Sequence, residues 1–551
     1  MKKIVPLTLA LALSLVGCAQ QEVKEETTGN VNTQEESDTT QSDEPVMLHF
    51  HENWDFEGGM SPLPVEGYAT GTYGNRFFLP NMYETLVEYK NGEYVGNLAK
   101  SWEVSEDGKT YTFYLKEGVK FSDGEPFNAE AVKLNLEATP ITLGEFINGY
   151  GKTPTNIASV EVMDELTVKV NLNEAYYGTL HDFTFLVSMS MLSPNAYTED
   201  LKYSEANLTG SYGTGPYMYE GDFDGTTYTF VRNPYYHNEA PDADGFTVTV
   251  VPDDASAVLA LRSGELSMIS GNTNLTSDTL NEFQNNEDYG ISIAEGYTHT
   301  TSLVLNPTQY PFDDVVVRNA VAQAIDRETI TETLFGAYGS PSYRFMYEAY
   351  PYSSKADPSK SMNVEAANTL LEENGYVDTD GDGIREKDGK DLSFELSYIS
   401  TDATGSDFSL LLQSQLQEIG VEATIAPYDS NTWYNGVKGS TFGMTWFNTA
   451  GANDPYMTMG NLYSGSADQR AKHAGIGSEG LDELVLEMIT KVDDAEIEAL
   501  YTQILNNVAE NDILIPVYTP RDMTLFSTEF ISSIDTAGTF SDYDVEKIKL
   551  K

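Results

Sequence analysis

The sequence predicts an α/β fold, and three observations carry the prediction. Strand-like and helix-like patterns interleave from Val46 to the end of the chain, with no internal repeat. Asn and Asp stand at predicted helix starts, where a side chain must accept from otherwise unpaired backbone N–H groups. The stretch from Asn363 to Ile425 reads helix, strand, helix, strand, the order of an α/β unit with a largely parallel sheet.

Taken in order, a first strand begins near Val46 and ends near His51. Ser105-Glu106-Asp107-Gly108 signals a turn, and Thr110 to Leu115 alternates hydroxyl with aromatic or aliphatic residues, as a half-buried strand does. Asp123-Gly124 marks another turn. Asn128 then caps a helix proposed by the spacing of Ala129, Val132 and Leu136. Pro311 to Ile330 reads as one helix capped by Asp313 or Asp314, with Val317, Val321, Ala324 and Ile325 on its apolar face. Asn363 to Asn374 is a helix with Gly375 as its stop. Leu392 to Ile399 alternates as a strand, Phe408, Leu411, Leu412, Leu416 and Ile419 form a helical stripe, and Val421 to Ile425 returns as a strand.

Several of these segments carry a specific pattern. LAKSWEVSEDGKTYTFYLKEGVKFSDGEPF, from Leu98 to Phe127, resembles the signature region of the family 5 extracytoplasmic solute-binding proteins, which deliver peptides, nickel and related solutes to ABC importers. Met82-Tyr83-Glu84-Thr85-Leu86-Val87, Gly213-Thr214-Gly215-Pro216-Tyr217 and PFDDVVVRNAVAQAIDRETI from Pro311 are similar to further elements of that family. The resemblance implies a two-lobed, periplasmic-binding-protein-like fold and no enzymatic activity. Lobe I would comprise about 46–300 with 523–551, including an inserted subdomain at about 96–212, and lobe II about 301–522. The crossings near Thr300 and Asp522 would form the hinge.

The first residues lie outside that body. Lys2 and Lys3 precede an apolar run from Ile4 to Val16, too short for a comfortable membrane span and laid out as a secretory signal over 1–17. Leu15-Val16-Gly17-Cys18 resembles a lipobox, so Cys18, the single cysteine, is the expected lipidation site. No disulfide is then expected. Ala19 to Pro45 is rich in Gln, Glu, Thr, Ser and Asn, and has too little apolar surface to offset ordering entropy. It reads as an acidic tether giving the globular part reach from the outer face of the membrane.

The chain carries 31 Lys and Arg against 86 Asp and Glu, a net charge of −55. A field of that sign repels phosphate backbones and excludes nucleic acid as a partner. Enzyme motifs also fail on inspection. Gly149-Tyr150-Gly151-Lys152-Thr153 lacks the earlier glycine of a P-loop, and Pro154 interrupts the helix that must follow. His51-Glu52-Asn53-Trp54-Asp55 lacks the second histidine of a zinc protease. The glycines of Gly477-Ser478-Glu479-Gly480 are misplaced for a nucleophile elbow. A secreted hydrolase with paired carboxylates is the alternative from another class, although so many acids make any single pair uninformative.

Asp378-Thr379-Asp380-Gly381-Asp382-Gly383-Ile384 matches the first half of a calcium loop, with Glu386 at position nine. Gly389 stands where a bidentate glutamate belongs. The segment fits either a structural calcium clip built on Asp378, Asp380, Asp382, Ile384 and Glu386 or a plain acidic turn. The solute site is expected between the lobes. There Trp446-Phe447-Asn448-Thr449-Ala450-Gly451-Ala452-Asn453-Asp454-Pro455-Tyr456 resembles the family's specificity loop. The aspartate with which peptide-binding members hold an amino terminus is replaced by Gly451, and Gly-Ala-x-Asp-Pro is similar to the nickel-binding branch. Arg76 is the candidate anchor for a carboxylate. Trp54, Phe77, Trp446 and Tyr456 are candidate cleft walls, Asn448, Asn453 and Asp454 candidate polar contacts, and His51 and His299 candidate metal ligands. The expected solute is nickel or a metal chelate, with a di- or oligopeptide as the alternative. The expected partners are permease subunits with their ATPase, bound by a monomer.

If Cys18 is the anchor, Cys18→Ser releases the protein from the membrane fraction without unfolding it, since lipid and tether lie outside the core. Retention of the variant in membranes of cells lacking the permease would contradict this.

Overall fold

The computed structural model describes residues 45–551, except 54, 57–58, 67–76, 91, 145–149, 252–253, 270–274, 276, 298, 347–351, 354, 401, 450–454 and 537–542. Cys18, Trp54, Arg76, Gly451, Asn453 and Asp454 therefore lie outside the described residues. Helices and sheets are interleaved throughout, as an α/β fold requires.

The strand Met47–Glu52 pairs in parallel with Gly245–Val250, and Thr227–Arg232 and Tyr217–Tyr219 continue that sheet antiparallel. Its core is aromatic: Phe50 and Phe78 pack on Tyr543, whose ring stacks on Phe78 at 4.7 Å, and Phe246 packs on both phenylalanines. Such pairs contribute about 0.5–1.5 kcal/mol beyond area burial. Buried Asn81 fixes the C-terminal segment by donating to the Tyr543 carbonyl and accepting from Val545 N at 3.0 Å. The Gly213-Thr214-Gly215 turn lies against the Asn81–Met82 backbone, and a Cβ on Gly213 would fall 2.0 Å from the Met82 carbonyl oxygen. This close approach explains why that turn is built from glycines.

A second sheet, in the order Ala99–Val104, Thr110–Leu115, Thr167–Leu172, Ile157–Asp164, is antiparallel. Tyr111, Phe113 and Leu115 point into its core, and the intervening residues are less buried, as the alternating sequence predicts. The helix Ala129–Leu143 covers it, and Asn128 caps that helix by accepting from Ala131 N at 3.0 Å. The core of this body draws on residues from Leu86 to Met191.

The third and largest sheet has eight strands. Successive residues of Thr300–Leu305 feed opposite faces: Leu303 and Leu305 pack with the helices Val315–Ala324, Val364–Glu373 and Ala403–Gln417, and Val304 packs with Leu481–Met488 and Asp494–Asn511. A sheet covered on both faces needs continuous hydrophobic strands, and every residue of Thr300–Leu305 is buried. The fourteen-residue strand Leu514–Ser527 runs through the sheet. It pairs with Thr300–Leu305 through Leu514 to Tyr518 and with Tyr289–Tyr297 through Arg521 to Ser527.

Two expectations are corrected. This sheet is mixed: Ser393–Ile399 pairs in parallel with Glu422–Tyr428 and Met444–Thr449, but all pairings with Leu514–Ser527 are antiparallel. The long strand enters from the opposite end, and no local pattern reports that direction. The Pro311–Ile330 segment is also two helices, Val315–Ala324 and Arg327–Phe335. Ile325 is extended, and Asp326 starts the second helix by accepting from Thr329 N. Asp314 rather than Asp313 caps the first. The break directs Arg327 inward, where its guanidinium donates to the Pro516 carbonyl at 2.7 Å and lies over Tyr343. Burial lowers its pKa to about 10.

Asp512, in left-handed conformation after Asp494–Asn511, is fully buried and paired with Lys360. Burial pushes its carboxyl up to about 6 against the pull of Lys360. The folded state thus holds this proton more tightly than the unfolded chain. The stability it contributes is complete below about pH 3.8 and is lost as pH rises through about 6. Asp512→Asn, which tolerates the same backbone, is expected to remove roughly 2–3 kcal/mol of that decline. Urea unfolding of both proteins between about pH 4 and 7 measures it, and parallel curves would refute it.

Candidate functional site

Tyr456 opens the helix segment Pro455–Gly460 and is buried where the second-sheet body meets the eight-stranded one. Its hydroxyl accepts from Tyr94 Oη at 3.1 Å, and its carbonyl accepts from the Tyr177 hydroxyl. Tyr94 belongs to the strand Glu93–Gly96, held in a hairpin with Val87–Lys90. Tyr177 and His181 stand four residues apart around the short turn Thr179–Asp182, a spacing that puts both on one side. The His181 ring lies 5.0 Å from Tyr456 and 5.8 Å from Tyr89, with its Nδ1 3.4 Å from Tyr94 Oη. Tyr352 meets Tyr456 edge-on at 6.4 Å and donates to Asp494 Oδ1 at 2.8 Å.

The phenols of this contact are uncharged near pH 7. Burial pushes Tyr456 up to about 12 and raises Tyr94 strongly, so both phenols keep their protons. Asp182 beside it is fully buried, accepts from Thr153 N at 2.7 Å, and has a carboxyl raised by desolvation. These rings pack edge and face against one another, joining the two bodies through apolar ring area with hydrogen-bonding edges.

The remaining candidates are scattered. Trp446, in Met444–Thr449, is half-buried and packs edge-on against Phe408 at 5.5 Å. Asn448, two residues on, is exposed and accepts from Thr301 Oγ1 at 3.0 Å. Phe77 packs on the first core, and its carbonyl accepts from Tyr543 N. His51 is fully buried in Met47–Glu52. His299 sits between the strands Tyr289–Tyr297 and Thr300–Leu305, where desolvation lowers its pKa to about 4 and keeps it neutral. Among the described residues, neither histidine shares an ion-sized site with two other acidic, His or Cys side chains. Asp378, Asp380 and Asp382 do converge, exposed, with Asp378 accepting from the N–H groups of Gly381 and Gly383. Ile384 N donates to Asp382, and Glu386 is turned to Thr379, outside the convergent group.

Tyr94, Tyr177 and His181 were not singled out by the sequence reading. The Tyr177/His181 spacing was the available signal, but the partner residue, Tyr456, lies 279 positions from Tyr177.

Separately cored bodies, two of them sharing the strand Leu514–Ser527, fit the architecture of a solute-binding protein. Residues 93–470 match the family described as bacterial extracellular solute-binding proteins, family 5 Middle, and the chain belongs to that family. Its members are substrate-binding components of ABC importers and act outside the cytoplasm. The chain is 27% identical over 480 residues to a nickel-binding periplasmic protein of Escherichia coli, covering 86% of this chain and 90% of that one. It is 31% identical over 347 residues to the glutathione-binding protein GsiB of Salmonella typhimurium, covering 60% and 61%. Among solved structures it is similar to NikA from Brucella suis in complex with Fe(III)-EDTA, with a TM-score of 0.83 and 26% identity over 92% of this chain and all of that one. The oligopeptide-binding protein AppA of Bacillus subtilis, at 22% identity and a TM-score of 0.71 over 92% and 100%, shares the fold. No helix among the described residues is long and apolar enough to cross a membrane.

Proposed function

We propose that this protein captures a nickel or other metal chelate between two lobes and hands it to the permease of an ABC importer, anchored outside the cell membrane through a lipid at Cys18. The observation that carries the clamp reading is the strand Leu514–Ser527, which pairs at one end with Thr300–Leu305 and at the other with Tyr289–Tyr297. Lobe I is read as about 46–300 with 523–551, and lobe II as about 301–522. Two crossings side by side, near Thr300 and Asp522, make a hinge: solute touching both lobes favours closure by its differential affinity.

The chelate reading is supported by the nickel-binding relative, which aligns over most of both chains, and by Gly451 at the position of the peptide-binding members' aspartate. Without that carboxylate, a peptide's buried ammonium would lack its partner, at a cost of several kcal/mol. Arg76 is assigned to a chelator carboxylate through two parallel hydrogen bonds. The glutathione-binding relative supports a peptide-like solute as the second reading. Calorimetry with nickel–histidine and with di- to pentapeptides tests the ranking. Tighter binding of the chelate is expected, with Arg76→Ala weakening it by about 1.5–3 kcal/mol. Binding of metal-free peptides with no heat from the chelate would reverse the assignment.

A structural calcium ion at Asp378, Asp380 and Asp382 is part of the same proposal, supported by their convergence ahead of the Glu386–Lys387 hairpin. A chelating agent should then lower the melting temperature, and Asp380→Ala should abolish that response. Identical melting with and without calcium would leave the segment as an acidic turn.

A further inference from the structure

The body built on the second sheet touches the eight-stranded body through residues that belong to neither of the two crossings near Thr300 and Asp522. Tyr176 leaves its own body and is buried in the apolar cluster of Met459, Leu462 and Val485. Tyr177 N donates to the Ile489 carbonyl at 3.2 Å while its hydroxyl reaches the Tyr456 carbonyl. Gly178 follows at a point of extreme closeness: a Cβ there would lie 2.8 Å from Tyr456 Cβ. Gly108, on the turn after Ala99–Val104, leaves equally little room beside Val492. All of these contacts join side chains and backbone of the protein itself.

We propose that Tyr176-Tyr177-Gly178, seated on Tyr456 and Ile489, is a latch that holds the clamp closed without solute. Buried aromatic area and two hydrogen bonds stabilise the closed form in advance, so solute has less of the closure free energy to supply. Apparent affinity scales with the fraction of molecules already closed. A weakened latch therefore weakens chemically different solutes by one common factor, whereas loss of a direct contact changes their ratio.

Gly178→Ala is the sharpest test, because Gly178 has φ −90° and accepts an alanine without backbone strain, while the added Cβ would meet the Tyr176 ring at 2.7 Å and Tyr456 Cβ at 2.8 Å, both within the latch. Small-angle X-ray scattering of the full mature protein, free of solute, should give a closed shape for the wild type and a larger radius of gyration for Gly178→Ala. Tyr177→Phe, which removes one hydroxyl, should expand it less. The affinity arm rests on the clamp reading above. If the closed fraction falls from about nine-tenths to about one-tenth, nickel–histidine and a tripeptide, whichever bind, weaken by about ninefold alike. An open wild type in the absence of solute, or scattering unchanged in both variants, would overturn the latch whatever the solute proves to be. If Gly178→Ala loses its native circular dichroism, Tyr177→Phe decides: expansion supports the latch, and wild-type scattering refutes it.

Discussion

The strand Leu514–Ser527 is the constraint on which the rest of the architecture depends. Its first half completes a sheet covered by helices on both faces, and its second half pairs with strands whose core is separate. A backbone shared in this way cannot slip in register without moving an entire hydrophobic set to the wrong face. Bodies joined like this are fixed in order by one continuous backbone. Tyr518 marks one side of the changeover between the strand's two halves and Arg521 the other.

Around this spine the chain separates its charges by depth. The surface carries the large acidic excess, and the interior holds a few charged groups that are each enclosed by specific partners. Arg318 donates to the Phe312 and Asn511 carbonyls, and Arg327 to that of Pro516. Buried charge is costly unless satisfied, so these arginines fix the loops that present those carbonyls. The contact around Tyr456 is built differently, from phenols that keep their protons and pack ring against ring with the His181 imidazole.

Much of the fold was legible in the sequence where the information is local. Thr110–Leu115, the Asn128 and Asn363 caps and the helix stop at Gly375 follow from period and capping chemistry, and each is found where expected. The break at Ile325-Asp326 is hidden in the sequence because Asp326 stands inside an apolar stripe that continues the helical period, and only the structure shows it acting as a second cap. The direction of the long strand was missed because pairing partners hundreds of residues apart leave no periodic trace. The aromatic contact was half legible: Tyr456 stood out beside its proline, but Tyr94, Tyr177 and His181 acquire meaning only through the tertiary fold. The glycines of the Gly213–Gly215 turn were recognised as a pattern, and the reason for them, backbone against backbone, is visible only in three dimensions.

The stack of Phe50, Phe78 and Tyr543 has a consequence for the order in which the molecule assembles. Asn81 and Tyr543, hydrogen-bonded beside that stack, are 462 residues apart. Closing so long a loop costs little more than closing a moderate one, because the entropy grows only with the logarithm of length. Its effect is on timing. The antiparallel second sheet is built from near neighbours and is expected to form first, whereas the core on the sheet begun by Met47–Glu52 is completed by residues near the other end of the chain. Phe50 and Phe78 are therefore synthesised long before the Tyr543 ring that covers them.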